Sequence, residues 1–156
     1  MNTRRPPART ARSFATKILP AIQADFIDAG KARLIFREYP LDKVATSAFM
    51  LVRCLPEEKY FQMIGLLFET QPSWAKIRSR DGLLKIMAGA GMDEAVFDAC
   101  LKRKDIFDGL YKTAMMAKTD FGVKGTPAIF VNGQAVAEHE EYAPLKAAIE
   151  AALGNQ

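Results

Sequence analysis

Residues 121–133, Phe-Gly-Val-Lys-Gly-Thr-Pro-Ala-Ile-Phe-Val-Asn-Gly, constrain the fold more than any other stretch of the chain. An apolar run, Ala128–Val131, is entered through Thr126-Pro127 and left through Asn132-Gly133. The pattern predicts a short buried strand that ends in a two-residue hairpin turn. Proline has no N–H to give a ladder, so Pro127 must stand at the strand's first residue or on an edge. A Thr-Pro bond in that place is a candidate cis peptide, which leaves the neighbouring backbone open to pair with another chain.

The remainder reads mostly as helix. Phe14, Ile18, Ile22, Phe26 and Ile27 recur at helical spacing over Ser13–Ala29, and Gly30 follows as a C-terminal cap. Pro20 lies inside that helix and predicts a kink near Ile18–Leu19. Lys31–Tyr39, with Leu34, Ile35 and Phe36 at its centre, reads as a strand stopped by Pro40. Helices are expected over Leu41–Leu55 and from Pro56 to Glu69. After a break at Gln71-Pro-Ser-Trp74, anchored by Trp74, three more cover Asp81–Gly89, Asp93–Lys102 and Asp105–Phe121, two of them opened by a capping-type aspartate. An amphipathic helix over Tyr142–Leu153 ends the chain. The order helix, strand, helical block, strand, hairpin, strand, helix is that of an α/β protein with a helical insertion. Strand Ala32–Tyr39 needs a parallel neighbour, and nothing before Ser13 reads as one.

A chain of 156 residues suits one domain. No apolar run approaches the about 20 residues of a membrane span, so none is expected. Met1–Arg12 is basic but has no apolar stretch behind it, which is not the form of a secretory signal; as written, the chain reads as cytoplasmic. Arg4, Arg5, Arg9 and Arg12 supply much of the net charge of +4. Without interleaved aromatics they read as an arm and not as a nucleic-acid contact. Cys54 and Cys100 are the only cysteines and His139 the only histidine, so neither a metal site nor a cofactor is expected. Both cysteines lie on apolar helical faces, as buried thiols commonly do. His139, in Ala-Glu-His-Glu-Glu, reads as a solvated turn residue. Met50, Met63, Met87, Met92, Met115 and Met116 read as core filling.

Three segments taken in order, Phe14-Ala-Thr-Lys-Ile-Leu-Pro-Ala-Ile22, Leu34-Ile-Phe-Arg-Glu-Tyr-Pro-Leu-Asp42 and Gly122–Gly133, resemble the DsbA-type thiol–disulfide oxidoreductases. The likeness runs from about Ser13 to the C-terminus. It implies a thioredoxin-like α/β fold with an all-helical insertion at 41–121, here lacking the N-terminal strands including the central one. Residues 13–154 would form this incomplete domain, and 1–12 a non-native or disordered arm. Pro127 matches the family's cis-proline, and Thr126 the preceding residue, whose backbone pairs with substrate. The resemblance further implies a monomer in the periplasm, with extended reduced polypeptides and a membrane reoxidising protein as partners. Some members carry a second, non-catalytic disulfide within the insert, which Cys54 and Cys100 would form; a reducing cytoplasm would not preserve it.

The family's Cys-Pro-His-Cys lies at the start of the first helix, where the helix dipole and free N–H groups stabilise a thiolate. Counted back from Phe14, the matching residues are Ala8, Arg9, Thr10 and Ala11. Alanine carries no sulfur, so disulfide exchange at this site is chemically excluded. Codons compatible with Met1–Arg12, read from their third base, can spell Glu-Tyr-Ala-Ser-Pro-Thr-Cys-Pro-His-Cys-Ala, a strand end running into that motif. The expectation is a one-base insertion or deletion near Arg12–Ser13, checked by finding the four motif codons in the alternate frame of the genomic bases.

Without the central strand, Ala32–Tyr39 and Pro127–Val131 both lack a ladder partner. Each buried unsatisfied backbone group costs about 1–3 kcal/mol against a domain stability of about 5–15 kcal/mol. The chain is therefore expected to aggregate through those edges or to fold partly around its helical block. Three functions remain open: an oxidoreductase by descent that is inactive as written, a redox-inactive peptide-binding module, and a glutathione-linked isomerase or transferase using Ser13.

Overall fold

The computed structural model describes residues 7–75 and 79–154, which fall in two compact units. Unit 1 holds the chain up to Phe36 and again from Val123 onward; unit 2 is Arg37–Gly122.

Unit 1 opens with helix α1 (Pro7–Ser13), which runs through a π-helical turn (Phe14–Ile18) into α2 (Leu19–Ile22) and a second π-helical turn (Gln23–Ile27). The expected arm 1–12 is thus helical from Pro7; residues 1–6 lie outside the described residues. Proline's fixed φ suits a first helical turn, and no glycine interrupts the stretch that follows. The expected kink at Pro20 takes the form of a widened turn. Pro20 has no N–H for the Thr16 carbonyl, and the Leu19 N–H reaches back five residues to Phe14. Gly30, at φ +68°, closes the rod, and the N–H groups of Lys31 and Ala32 both donate to the Phe26 carbonyl at 2.8 and 3.0 Å.

Lys31–Tyr39, expected as a strand, belongs to no ladder among the described residues. In unit 1 the side chains of Lys31–Phe36 still alternate between exposed and half-buried, the period of a strand with one covered face. What is missing is a paired backbone. The one ladder among the described residues joins β1 (Phe130–Val131) antiparallel to β2 (Gln134–Ala135), with Val131 opposite Gln134. Asn132 at φ +47° and Gly133 at φ +81° make the two-residue turn, the left-handed pair that this hairpin type requires. The strand is shorter and less buried than expected: Phe130 is exposed and Val131 half-buried. Helix α9 (Tyr142–Gly154) completes the unit. Ile18, Ile22, Phe26, Leu145 and Ile149 form its core, and Phe14, Ala32, Ile129 and Val131 pack on that cluster.

Unit 2 is helical. It comprises α3 (Lys43–Arg53), a 3₁₀ turn (Glu57–Lys59), α4 (Tyr60–Glu69), α5 (Gln71–Trp74), α6 (Ser79–Gly89), α7 (Glu94–Cys100) and α8 (Lys104–Thr119). Helix α3 is the hub and packs on α4, α6, α7 and α8. Asp42 caps α3 by accepting from the Ala45 N–H at 2.8 Å, and Asp93 caps α7 through Val96 at 2.8 Å. Asp105 is not a cap: Arg103 holds that position in α8, and Asp105 pairs with its guanidinium. The expected break at Gln71 is a single helical turn, and the Trp74 indole N–H donates to the Leu67 carbonyl at 2.9 Å. Gly82 lets α6 approach this turn, since a Cβ there would lie 2.9 Å from the Ser73 carbonyl oxygen. Met50, Met63, Met87 and Met92 are buried with Leu51 and Phe97. Met115 and Met116 are exposed on α8, contrary to the core reading, because that helix turns one face outward.

Candidate functional site

The loop that precedes β1 keeps its main chain outside the ladder. Val123–Ile129 belongs to no helix or strand, the chain bends at Gly125 and Thr126, the Thr126–Pro127 bond is cis, and Gly125, Thr126 and Pro127 are half-buried. Beyond them, Val136 donates its N–H to the Ile129 carbonyl at 2.9 Å and lengthens the hairpin by one step. Ile129 and Val131 fasten the loop to the core on which Phe14 of the first helix also rests. Backbone held in this way is positioned by the fold.

Ala8 and Ala11 fall within α1, in the same compact unit as Thr126 and Pro127. The sulfur atoms are elsewhere. Cys54, which follows α3, and Cys100, the last residue of α7, are joined by a disulfide with S–S 2.04 Å and Cα–Cα 6.2 Å, within unit 2. As these are the chain's two cysteines, no free thiol remains. Cys100 is 3% exposed, so an attacking thiolate has little access to its sulfur. Ser13 ends α1 inside a rod that continues as helix, without a helix start's free N–H groups around its hydroxyl.

Two polar clusters escaped the sequence reading. In unit 2, Glu38 is 2% exposed. It accepts from Arg53 Nε and Nη2 at 2.5 and 2.8 Å and from the Tyr60 hydroxyl at 2.5 Å. Burial pushes its carboxyl up, but these donors outweigh burial and hold it below the ordinary value. Burial first, then the bond to Glu38, pushes the Tyr60 phenol up. Parity could have revealed this acid: Glu38 continues in sequence the even-numbered positions of the half-buried Ala32, Leu34 and Phe36. In unit 1, the Tyr142 hydroxyl donates to Asp25, and this bond pushes the phenol up to about 12. His139 is not a solvated turn residue. It is half-buried, and its Nδ1–H donates to the Val136 carbonyl at 2.8 Å, fixing the tautomer.

Among the described residues, no helix is long and apolar enough to cross a membrane, and no cluster of three acidic, cysteine or histidine residues could hold a metal.

The protein family model described as Thioredoxin matches residues 10–151. The chain is 29% identical over 119 residues to a Rickettsia typhi protein named "Putative protein-disulfide oxidoreductase", covering 74% of this chain and 44% of that protein. A Rickettsia bellii protein of the same name is 27% identical over 149 residues, covering 90% of this chain and 54% of that one. The chain thus spans about half the length of the curated relatives it matches. The crystal structure of Wolbachia pipientis alpha-DsbA1 superposes with a TM-score of 0.83 at 26% identity, over 95% of this chain and 82% of that one. Loop, helix rod, insert and comparisons agree: the chain belongs to the thioredoxin family, as a domain of the DsbA-like kind.

Proposed function

We propose that this domain holds extended, reduced polypeptides at the Gly125–Pro127 loop and, with the residues it carries, does not exchange disulfides with them. One observation carries the reading: the loop and the first helix lie in unit 1, while both cysteines are bonded to each other in unit 2. A dithiol transfer needs an attackable disulfide, or a thiolate, beside the bound chain. By the resemblance that place is the start of the first helix, where this chain has Ala8 and Ala11. The relatives named as protein-disulfide oxidoreductases support the lineage, and the Cys54–Cys100 bond supports an oxidising compartment such as the periplasm. A membrane reoxidising partner would then serve a chain with cysteines in the first helix. Domain bounds follow the same reading: 13–154 as the DsbA-like domain, with the insert at 41–121.

The test compares this chain with a variant carrying Ala8→Cys, Arg9→Pro, Thr10→His and Ala11→Cys in an insulin-reduction assay and a dithiol-oxidation assay. The chain itself should show no turnover above the uncatalysed rate, and the variant should gain it. Turnover by the unmodified chain that vanishes in Cys54→Ser would overturn the reading.

A further inference from the structure

Helices α3 and α8, which pack on each other in unit 2, leave a trough along their junction. One cleft, of about 290 Å³, lies between Thr46 of α3 and Phe107, Tyr111 and Met115 of α8, with Tyr39 and Pro40 also lining it. A second, again of about 290 Å³, shares Phe107 and has Met50 of α3 as its wall. Each is smaller than the roughly 300–1,000 Å³ of a pocket that encloses a small molecule, so the trough suits side chains from a docked surface. Phe107, Tyr111 and Met115 stand four residues apart on α8 and make one ridge, 47, 61 and 39% exposed. Leu110, between them in sequence, is buried, so α8 meets the core with its other face. A ridge of large side chains beside a groove between two helices is the surface that a further helix packs on.

Charge marks both ends of the trough. Lys102, Arg103 and Lys104 line it where α8 begins and Lys118 where α8 closes, and no acidic residue lines either cleft. Asp105 and Asp108 already pair with Arg103 and Lys104, whereas Lys102 and Lys118 form no ion pair among the described residues. From Lys104 to Lys118 the helix rises about 21 Å, roughly four turns. We propose that the α3–α8 trough docks an amphipathic helix of another protein. Its apolar stripe packs on Phe107, Tyr111 and Met115, and carboxylates near its two ends meet Lys102 and Lys118. The site lies wholly in unit 2 and uses neither the Thr126–Pro127 loop nor any thiol, so it stands apart from the function proposed above.

The probe is a synthetic helical peptide of about 18 residues, five turns, with leucines along one face and glutamates in its first and last turns. Its controls are a peptide of equal composition whose leucines share no face, and one with lysines in place of the end glutamates. Affinity is read by calorimetry on the whole chain, and NMR shifts of backbone amides and methionine methyls locate the contact. The probe should bind and shift Tyr111 and Met115. Tyr111→Ala should weaken it about tenfold or more, as for an aromatic anchor of an interface. Lys118→Glu should weaken it about three- to tenfold, the span of a reversed surface ion pair, and improve the relative standing of the lysine-ended peptide. Phe61→Ala, at another exposed aromatic of unit 2 that lines neither cleft, should leave the affinity unchanged. Failure of the probe to bind, or equal binding by the peptide with scattered leucines, would overturn the proposal. So would shifts confined to Gly125 and Thr126, which assign the peptide to the loop. Self-association of the chain alone that Tyr111→Ala abolishes gives the trough to a second copy. Attachment to anionic phospholipid vesicles that the same variant abolishes gives it to a membrane surface, and either result also overturns the proposal.

Discussion

The two units meet the same requirement, satisfying backbone while burying apolar surface, by different means. Unit 2 does so locally. Each helix closes its own hydrogen bonds, Asp42 and Asp93 cap two of them, and α3 collects Leu51 and Val52 against its neighbours. Unit 1 combines helices α1, α2 and α9 with extended segments, and extended backbone depends on a partner strand. Its hairpin provides that for Phe130–Val131 and Gln134–Ala135; Arg33–Ile35 have none within the described residues. A helical block can therefore be whole where a sheet is not, because helices are satisfied one at a time and sheets only in company.

That contrast can be broken by mutating one unit and watching the other. Phe97→Ala, at a side chain 0% exposed, should cost unit 2 about 3–5 kcal/mol. In urea, with amide exchange read residue by residue, α3 and α7 should lose protection while α9 keeps it. Equal loss in both would show one cooperative whole. Replacing Cys54 and Cys100 by serine should cost unit 2 about 2–4 kcal/mol through the freed loop of the unfolded chain, a shift in its urea midpoint that unit 1 does not share. Gly82→Ala should cost about 1–3 kcal/mol, as its methyl meets the Ser73 carbonyl and Trp74 backbone. Acid sharpens the comparison. Glu38 is held below its ordinary value of 4.5, so its contribution is complete above that pH and fades as pH falls through the lower folded value. Unit 2 should lose stability on acidification below about pH 4.5, and Glu38→Gln should flatten the curve. Asn132→Ala should have the smallest effect, about 1 kcal/mol from the left-handed φ it must adopt, confined to the exchange of the hairpin amides.

What could be read in advance follows the same division. Gly30, Asp93 and the Asn132-Gly133 turn are local signals, and each ends or caps the element it marks. Side-chain alternation in Lys31–Tyr39 is local too; whether a ladder forms there depends on distant residues, which alternation does not encode. Pro20 announces a disturbed helix but not whether the rod bends or widens. For the site, Thr126-Pro127 is visible as a loop before a strand, and the absence of sulfur near Phe14 is plain. Pairing of Cys54 with Cys100 is not: both a lone thiol and a disulfide fit an apolar helical face. Glu38 was hidden because an acid beside aromatic residues looks like a solvent-facing interruption until its parity is counted.

Trp74 is the chain's single tryptophan, and it sits 5% exposed inside unit 2. Its ultraviolet emission is thus a gauge of the helical block alone. A melting curve followed at that wavelength reads the surroundings of an indole bonded to Leu67 and backed by Gly82, all within unit 2. Fraying of the hairpin has to be followed by another signal, such as the amides of Phe130 and Gln134.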